Sequence, residues 1–185
     1  MSEKLNRREF LTLNFESSVS FLGNFLAPQM DLDRSFFRPP GACEEIEFLT
    51  SCTRCGKCKE VCPEKSISLF PLTNGATLVN TPYIDPNRSP CTFCQKCIET
   101  CPTNSLNQSD FLLRPFLGYG EVHAGLCLAH QDVMCDYCVR SCPTIGAIQI
   151  KDGKPKIAAE ICNGCGICVS NCILENKAIT IKIKS

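Results

Sequence analysis

Ile179, Ile181 and Ile183 alternate with polar residues in AITIKIK, near the end of the chain, a period of two that predicts a half-buried closing strand. AIQIKDGKPKI reads as a hairpin, with Ile148 and Ile150 alternating before an Asp152-Gly153 turn. SISLFPLTNGATLV resembles it, with the turn at Asn74-Gly75, although Pro71 limits pairing on that strand. A different period governs the start. Phe15, Val19, Leu22 and Leu26 recur at helical spacing, with Phe21 and Phe25 beside them and mostly Ser and Asn opposite. This predicts an amphipathic helix that packs on the protein's own body, the alternative being a docking surface for a partner. RPPGA, 38–42, then stiffens the chain through adjacent prolines.

From residue 43 onward a unit repeats. CTRCGKCKEVCP at 52–63 returns as CTFCQKCIETCP at 91–102, and in altered form as CLAHQDVMCDYCVRSCP at 127–143 and CNGCGICVSNC at 162–172. After each fourth cysteine comes a small residue followed by an aliphatic: Ser66-Ile67, Ser105-Leu106, Ala147-Ile148 and Ala178-Ile179. Each unit is thus a cysteine loop, a helical turn and a short strand, and the fold class is α+β with a small hydrophobic core. Residues 1–42 form an N-terminal extension, 43–110 carry runs one and two, and 111–185 carry runs three and four.

Composition sharpens this picture. Seventeen cysteines in 185 residues demand a chemical explanation, and three Tyr, no Trp, 12 Pro and 11 Gly argue against a large apolar core. Bound metal orders such a chain because ligation is coupled to folding. The formal charge is zero; four [4Fe–4S]²⁺ cores on thiolates, about −2 each, would bring it to about −8. No run of 18 apolar residues exists, so nothing in the sequence reads as a transmembrane segment. NRREFL at 6–11 resembles a twin-arginine export signal. However, Asn14, Glu16, Ser17 and Ser18 interrupt the apolar stretch behind it, and Phe25 is bulky where a cleavage site wants a small residue. The expectation is a cytoplasmic protein, in a compartment where dense thiols serve as metal ligands.

A [4Fe–4S] cube needs one thiolate per iron, from four directions. A tight loop with cysteines at two-residue gaps wraps three corners and cannot reach the fourth behind it. In two-cluster ferredoxins the fourth cysteine therefore ligates the other cluster, and a proline turns the chain away. Cys62, one helical turn beyond Cys58, fits that role. Gly56 and Gly166, before the third cysteine of their runs, let backbone N–H groups approach the sulfurs. Zinc sites use two separated pairs and would not explain the extra cysteines and the proline, and a disulfide knot does not suit a reducing compartment. The expected ligands are Cys52, Cys55, Cys58 and Cys62; Cys91, Cys94, Cys97 and Cys101; Cys127, Cys135, Cys138 and Cys142; and Cys162, Cys165, Cys168 and Cys172.

Run four has Ile173 in place of the proline, which costs a turn device and no ligand. Run three departs more. LAHQDVM separates Cys127 from Cys135, so the first ligand sits across a looped-out segment. The alternatives there are a [3Fe–4S] cluster with Cys127 a buried free thiol, or His130 as a substitute ligand. Cys43 belongs to no run and reads as a spare thiol. Pairing of run one with two and three with four is the simplest arrangement, and a nested one, with run one paired to four and two to three, uses the same ligands.

From Cys52 to Ser185 the chain resembles a bacterial-type polyferredoxin, made of tandem ferredoxin-like units with short hairpins and helices around [4Fe–4S] clusters. RREFL, RPPGA before FLTSCTRCGKC, CLAHQDVMCDYC and ICNGCGIC together resemble the NapF-type ferredoxins of periplasmic nitrate reductase systems. The resemblance implies a cytoplasmic protein with four [4Fe–4S] clusters that contacts the catalytic subunit of the nitrate reductase before its export and serves its maturation. It leaves the electron donor unidentified. A related type, NapG, shares RPPGA and similar runs but is exported as an electron relay. An electron-transfer role without a substrate site also fits the residues: no Ser/His/Asp set or phosphate-cradling loop is present, and His123 and His130 are the only histidines. Nothing points to nucleic acid.

Overall fold

The computed structural model describes residues 36–183. The expected N-terminal helix and the RREFL segment lie outside the described residues. The chain forms small α+β structure from short pieces: α1 (Glu45–Ser51), α2 (Lys57–Glu60), β1 (Ile67–Leu69), β2 (Pro82–Ile84), α3 (Lys96–Glu99), α4 (Gln108–Leu113), β3 (Gly118–Val122), α5 (Tyr137–Ser141), β4 (Ile148–Lys151), β5 (Lys154–Ile157), α6 (Ile167–Ser170) and β6 (Ile179–Ile183). Single 3₁₀ turns occupy Leu72–Asn74 and Leu128–Gln131.

Among the described residues the strands form three antiparallel pairs: β1 with β2, β3 with β6, and β4 with β5. The β4–β5 hairpin is the expected one, Ile148 opposite Ile157 and Asp152-Gly153 at its tip in left-handed conformations. The closing strand β6 is also as expected, with Ile179 and Ile181 buried. Its partner is Gly118–Val122, a stretch the sequence reading did not assign to a strand.

Two expectations need correction. The chain after β1 does not return at 76–79. Beyond Pro71 it makes a 3₁₀ turn ending at Gly75, and the strand that pairs with β1 is Pro82–Ile84. Pro71 has no N–H to extend the ladder, which fits the detour. After run two there is no strand either: Leu106 makes an isolated bridge to Ala42, and α4 follows. Asn107 caps that helix, its Oδ1 accepting from the Asp110 N–H at 2.8 Å, so the chain turns helical where the other runs turn extended.

Three small clusters make the core. One joins Phe48, Ile67, Ile84, Ile98 and Leu106 to Cys43, Cys58 and Cys97. The second joins Ile148, Val169, Ile179 and Ile181 to Cys138 and Cys168; the third holds Cys127, Ala129 and Ala178. Cysteines are thus core residues in each cluster, and aliphatics pack around them.

RPPGA does more than stiffen the chain. Arg38 is 5% exposed and lies over the rings of Phe48 and Phe36, 4.5 and 4.7 Å from their centroids. Its Nη1 donates to the Thr81 hydroxyl at 2.9 Å and the Pro82 carbonyl at 2.7 Å. Arg38 therefore ties α1 to β2.

Candidate iron–sulfur sites

Cys52, Cys55, Cys58 and Cys101 line one cavity, walled also by Phe48, Pro82 and Leu106, with about 350 Å³ of space including its mouth. A second, of about 340 Å³, is lined by Cys62, Cys91, Cys94 and Cys97, with Ile67 and Ile84 behind them. A third, of about 360 Å³, is lined by Cys127, Cys135, Cys138 and Cys172, with Leu174, Ala178 and Ile179. The remaining four, Cys142, Cys162, Cys165 and Cys168, gather in a fourth set: Cys142 and Cys162 bear electrostatically on both Cys165 and Cys168. Every set therefore takes three sulfurs from one run and the fourth from its partner. The arrangement is one with two and three with four, not the nested alternative.

Local backbone explains how three sulfurs of a run converge. In runs one, two and four the chain adopts left-handed conformations at two alternate positions: Arg54 and Gly56, Phe93 and Gln95, Gly164 and Gly166. Each pair curls the loop, and the second member starts a four-residue helix whose first turn carries the third cysteine inward. Such alternation turns backbone N–H groups towards one concave side, where anionic sulfur is favoured. Arg54, Phe93 and Gln95 pay roughly 1 to 2 kcal/mol each for a conformation that glycine adopts freely. The sequence points to Gly56 and Gly166 but not to Gly164, nor to Arg54, Phe93 and Gln95, whose residue types give no signal.

Run three is built differently. Cys127 precedes the 3₁₀ turn, Asp132 takes the left-handed conformation that ends it, and the chain then returns to Cys135. Cys127 is buried in the same cluster as Cys135 and Cys172, so the looped-out segment does deliver it to the site. His130 is not among the residues lining that cavity. Its Nε2 is buried with no hydrogen-bond partner among the described residues. Cys43 lies 3% exposed in the first core cluster and lines none of the three cavities.

None of the seventeen cysteines forms a disulfide. Burial pushes Cys97 and Cys168 up to about 12, aided by neighbouring thiols. It pushes Cys58, Cys91 and Cys138 up to about 11. Burial also raises Cys101, but the backbone N–H groups of Leu106, Thr103 and Ser105 and the Thr103 hydroxyl together carry it below the ordinary value. Further donors reach sulfur elsewhere: the Gly120 N–H lies 3.4 Å from Cys162 Sγ.

These sites fit a [4Fe–4S] core. Four soft sulfurs ring an apolar space at the scale of a cluster, while among the described residues no three His, Cys, Asp or Glu side chains converge on a single ion. A cube needs its ligands spread around a volume, and a zinc ion needs them at one point.

Comparison with known proteins agrees. The 4Fe-4S dicluster domain family matches residues 51–105, which hold runs one and two. The ferredoxin-type protein NapG of Escherichia coli is 33% identical over 95% of this chain and 84% of its own length. The methylamine utilization ferredoxin-type protein MauM of Paracoccus denitrificans is 34% identical over 81% of this chain and 72% of its own. The ferredoxin-type protein NapF of Escherichia coli is 32% identical over 73% of this chain and 79% of its own.

Proposed function

The chain belongs to the ferredoxin-type family of NapG, MauM and NapF, an iron–sulfur electron-transfer protein, and from that premise we propose that it carries four [4Fe–4S] clusters in two tandem ferredoxin-like units. The observation that carries this reading is the crosswise sulfur set, three cysteines from one run and the fourth from its partner, repeated until sixteen cysteines are used. When bound, such clusters take up and release single electrons, over potentials that span roughly −700 to +450 mV. The polypeptide's part is to hold them in apolar surroundings, direct N–H groups at their sulfurs and keep water away. Iron and acid-labile sulfide should each come to about sixteen per chain, and fifteen iron would point to a three-iron site at Cys127.

The partner is the catalytic subunit of a periplasmic nitrate reductase, met in the cytoplasm in its precursor form, with the protein supplying electrons as that subunit matures. Likeness to NapF and NapG supports the association with a nitrate reductase, and likeness to NapF the encounter before export. Capture of catalytic subunit that still bears its export signal is the expected result of a pull-down. Recovery of only the exported form would sink the reading.

A second reading has an observation in its favour. NapG of Escherichia coli aligns with 95% of the chain and MauM of Methylophilus methylotrophus with 96%, against 73% for NapF of Escherichia coli. On that reading the protein is an exported relay subunit of a respiratory chain, NapG-like or serving another oxidoreductase. N-terminal sequencing of protein from cells separates the two: a mature chain starting beyond Ala27 favours export.

A further inference from the structure

The two halves of the chain meet at several places, among them Leu117 against the first core cluster and Phe37 against the second, and one of these is the segment Pro86 to Cys91. Asn87 clasps β6 in the manner of a strand: its Oδ1 accepts from the Ile181 N–H at 2.6 Å and its Nδ2 donates to the Ile181 carbonyl at 3.1 Å. Pro86 lies so close to run four that a Cβ on Gly166 would overlap its carbonyl oxygen. At the end of the segment the Cys91 N–H donates to the Cys165 carbonyl oxygen at 2.8 Å. Cys91 belongs to the second set and Cys165, which is buried, to the fourth.

Within each half the sets also adjoin through named residues. Cys58 of the first set and Cys97 of the second share one core cluster, where α2 packs on α3. Cys138 of the third and Cys168 of the fourth share another, where α5 packs on α6.

Resting on the four-cluster reading, we propose that electrons cross between the halves at the Cys91–Cys165 hydrogen bond, so that the four sets form a line in the order first, second, fourth, third. This order differs from the order of the runs along the chain. In each step one electron leaves a reduced cluster, which is oxidised, and the next cluster in the line is reduced. No proton or bond changes hands, and a one-electron donor outside the protein supplies the electron. Donor and acceptor proteins therefore engage the two ends of the line, at the first and third sets. Gly166 leaves the room in which Pro86 approaches and carries Cys91 onto Cys165.

The test is electron paramagnetic resonance of the cluster-loaded protein during stepwise reduction with dithionite, beside iron analysis. Spin–spin interaction between the second and fourth sets is expected, joining the interaction within each half. Two double variants locate it. Cys55→Ala with Cys135→Ala leaves the second and fourth sets, which should interact; Cys94→Ala with Cys162→Ala leaves the first and third, which should not. Unmodified protein whose spins interact only within each half overturns the proposal, and so does an interaction between the first and third sets in the Cys94→Ala, Cys162→Ala variant. Iron well below about sixteen in the unmodified protein overturns the four-cluster reading instead.

Discussion

Arg38 and Glu45 meet as a two-bonded ion pair beside Phe48, which walls the first sulfur set, with Nη2 donating to Oε1 at 2.5 Å and Nε to Oε2 at 3.1 Å. Both side chains are less than a tenth exposed. Two charges buried together cost much of their attraction in lost hydration, so the pair adds little net stability; removing one partner is another matter. Arg38→Ala strips the guanidinium from Glu45 and from the aromatic rings around it. A loss of about 3 to 5 kcal/mol is expected, read as a lower denaturation midpoint of the loaded protein. Arg38→Met with Glu45→Leu should recover most of it, since no charge is then left buried.

Ligand sharing between runs makes a prediction about iron. Cys135 and Cys172 stand on different runs but line the same cavity. Cys135→Ser and Cys172→Ser should each lose iron from the third set and gain protease sensitivity, and the double variant should lose no more than either alone. Cys135→Ser with Cys168→Ser, which strikes two sets, should lose about twice as much. Iron per chain decides it. Additive loss in Cys135→Ser with Cys172→Ser would count against the assignment.

Raised thiol pKa values mean that the folded, iron-free sites hold their protons, through about pH 11 at Cys58, Cys91 and Cys138 and about pH 12 at Cys97 and Cys168. Their contribution to the stability of the iron-free fold is complete below the ordinary thiol range and is lost as pH rises through about 11 to 12. Iron must displace those protons. Reconstitution with limiting iron and sulfide should therefore strengthen from about pH 6 to about pH 9 and release protons in an unbuffered titration. A flat pH dependence would contradict it.

Gln95 occupies, at φ 63°, the left-handed position that Gly56 and Gly166 fill in their runs. Gln95→Gly removes that strain and should raise stability by about 1 kcal/mol or less, after the entropy that glycine adds to the unfolded chain. Thermal unfolding of the loaded protein is the measurement, with unchanged iron as the control.

Cysteine spacing made the ligand runs legible, and period-two isoleucines made β6 and the β4–β5 hairpin legible, because both signals are local. Partners set by tertiary contact were not. β3 begins Gly118-Tyr119-Gly120, and glycines normally weaken a strand reading. Gly118 is there because a side chain would overlap the Lys182 carbonyl, and Gly120 because Ile157 of β5 presses against it. Those neighbours come from far along the chain and leave no trace beside the glycines. The choice between paired and nested runs was open for the same reason: sulfur count is local, and which run faces which is settled only by packing of α2 on α3 and α5 on α6.

Because Cys101 completes the first set and Cys172 the third, the order of biosynthesis matters. A nascent polypeptide halted between Pro63 and Cys91 would expose three thiols of one set and a lone Cys62 of the other, with neither able to close around its inorganic core. On the proposed four-cluster reading, cluster insertion is expected to wait for both runs of a pair to leave the ribosome, so that each half is metallated as one event.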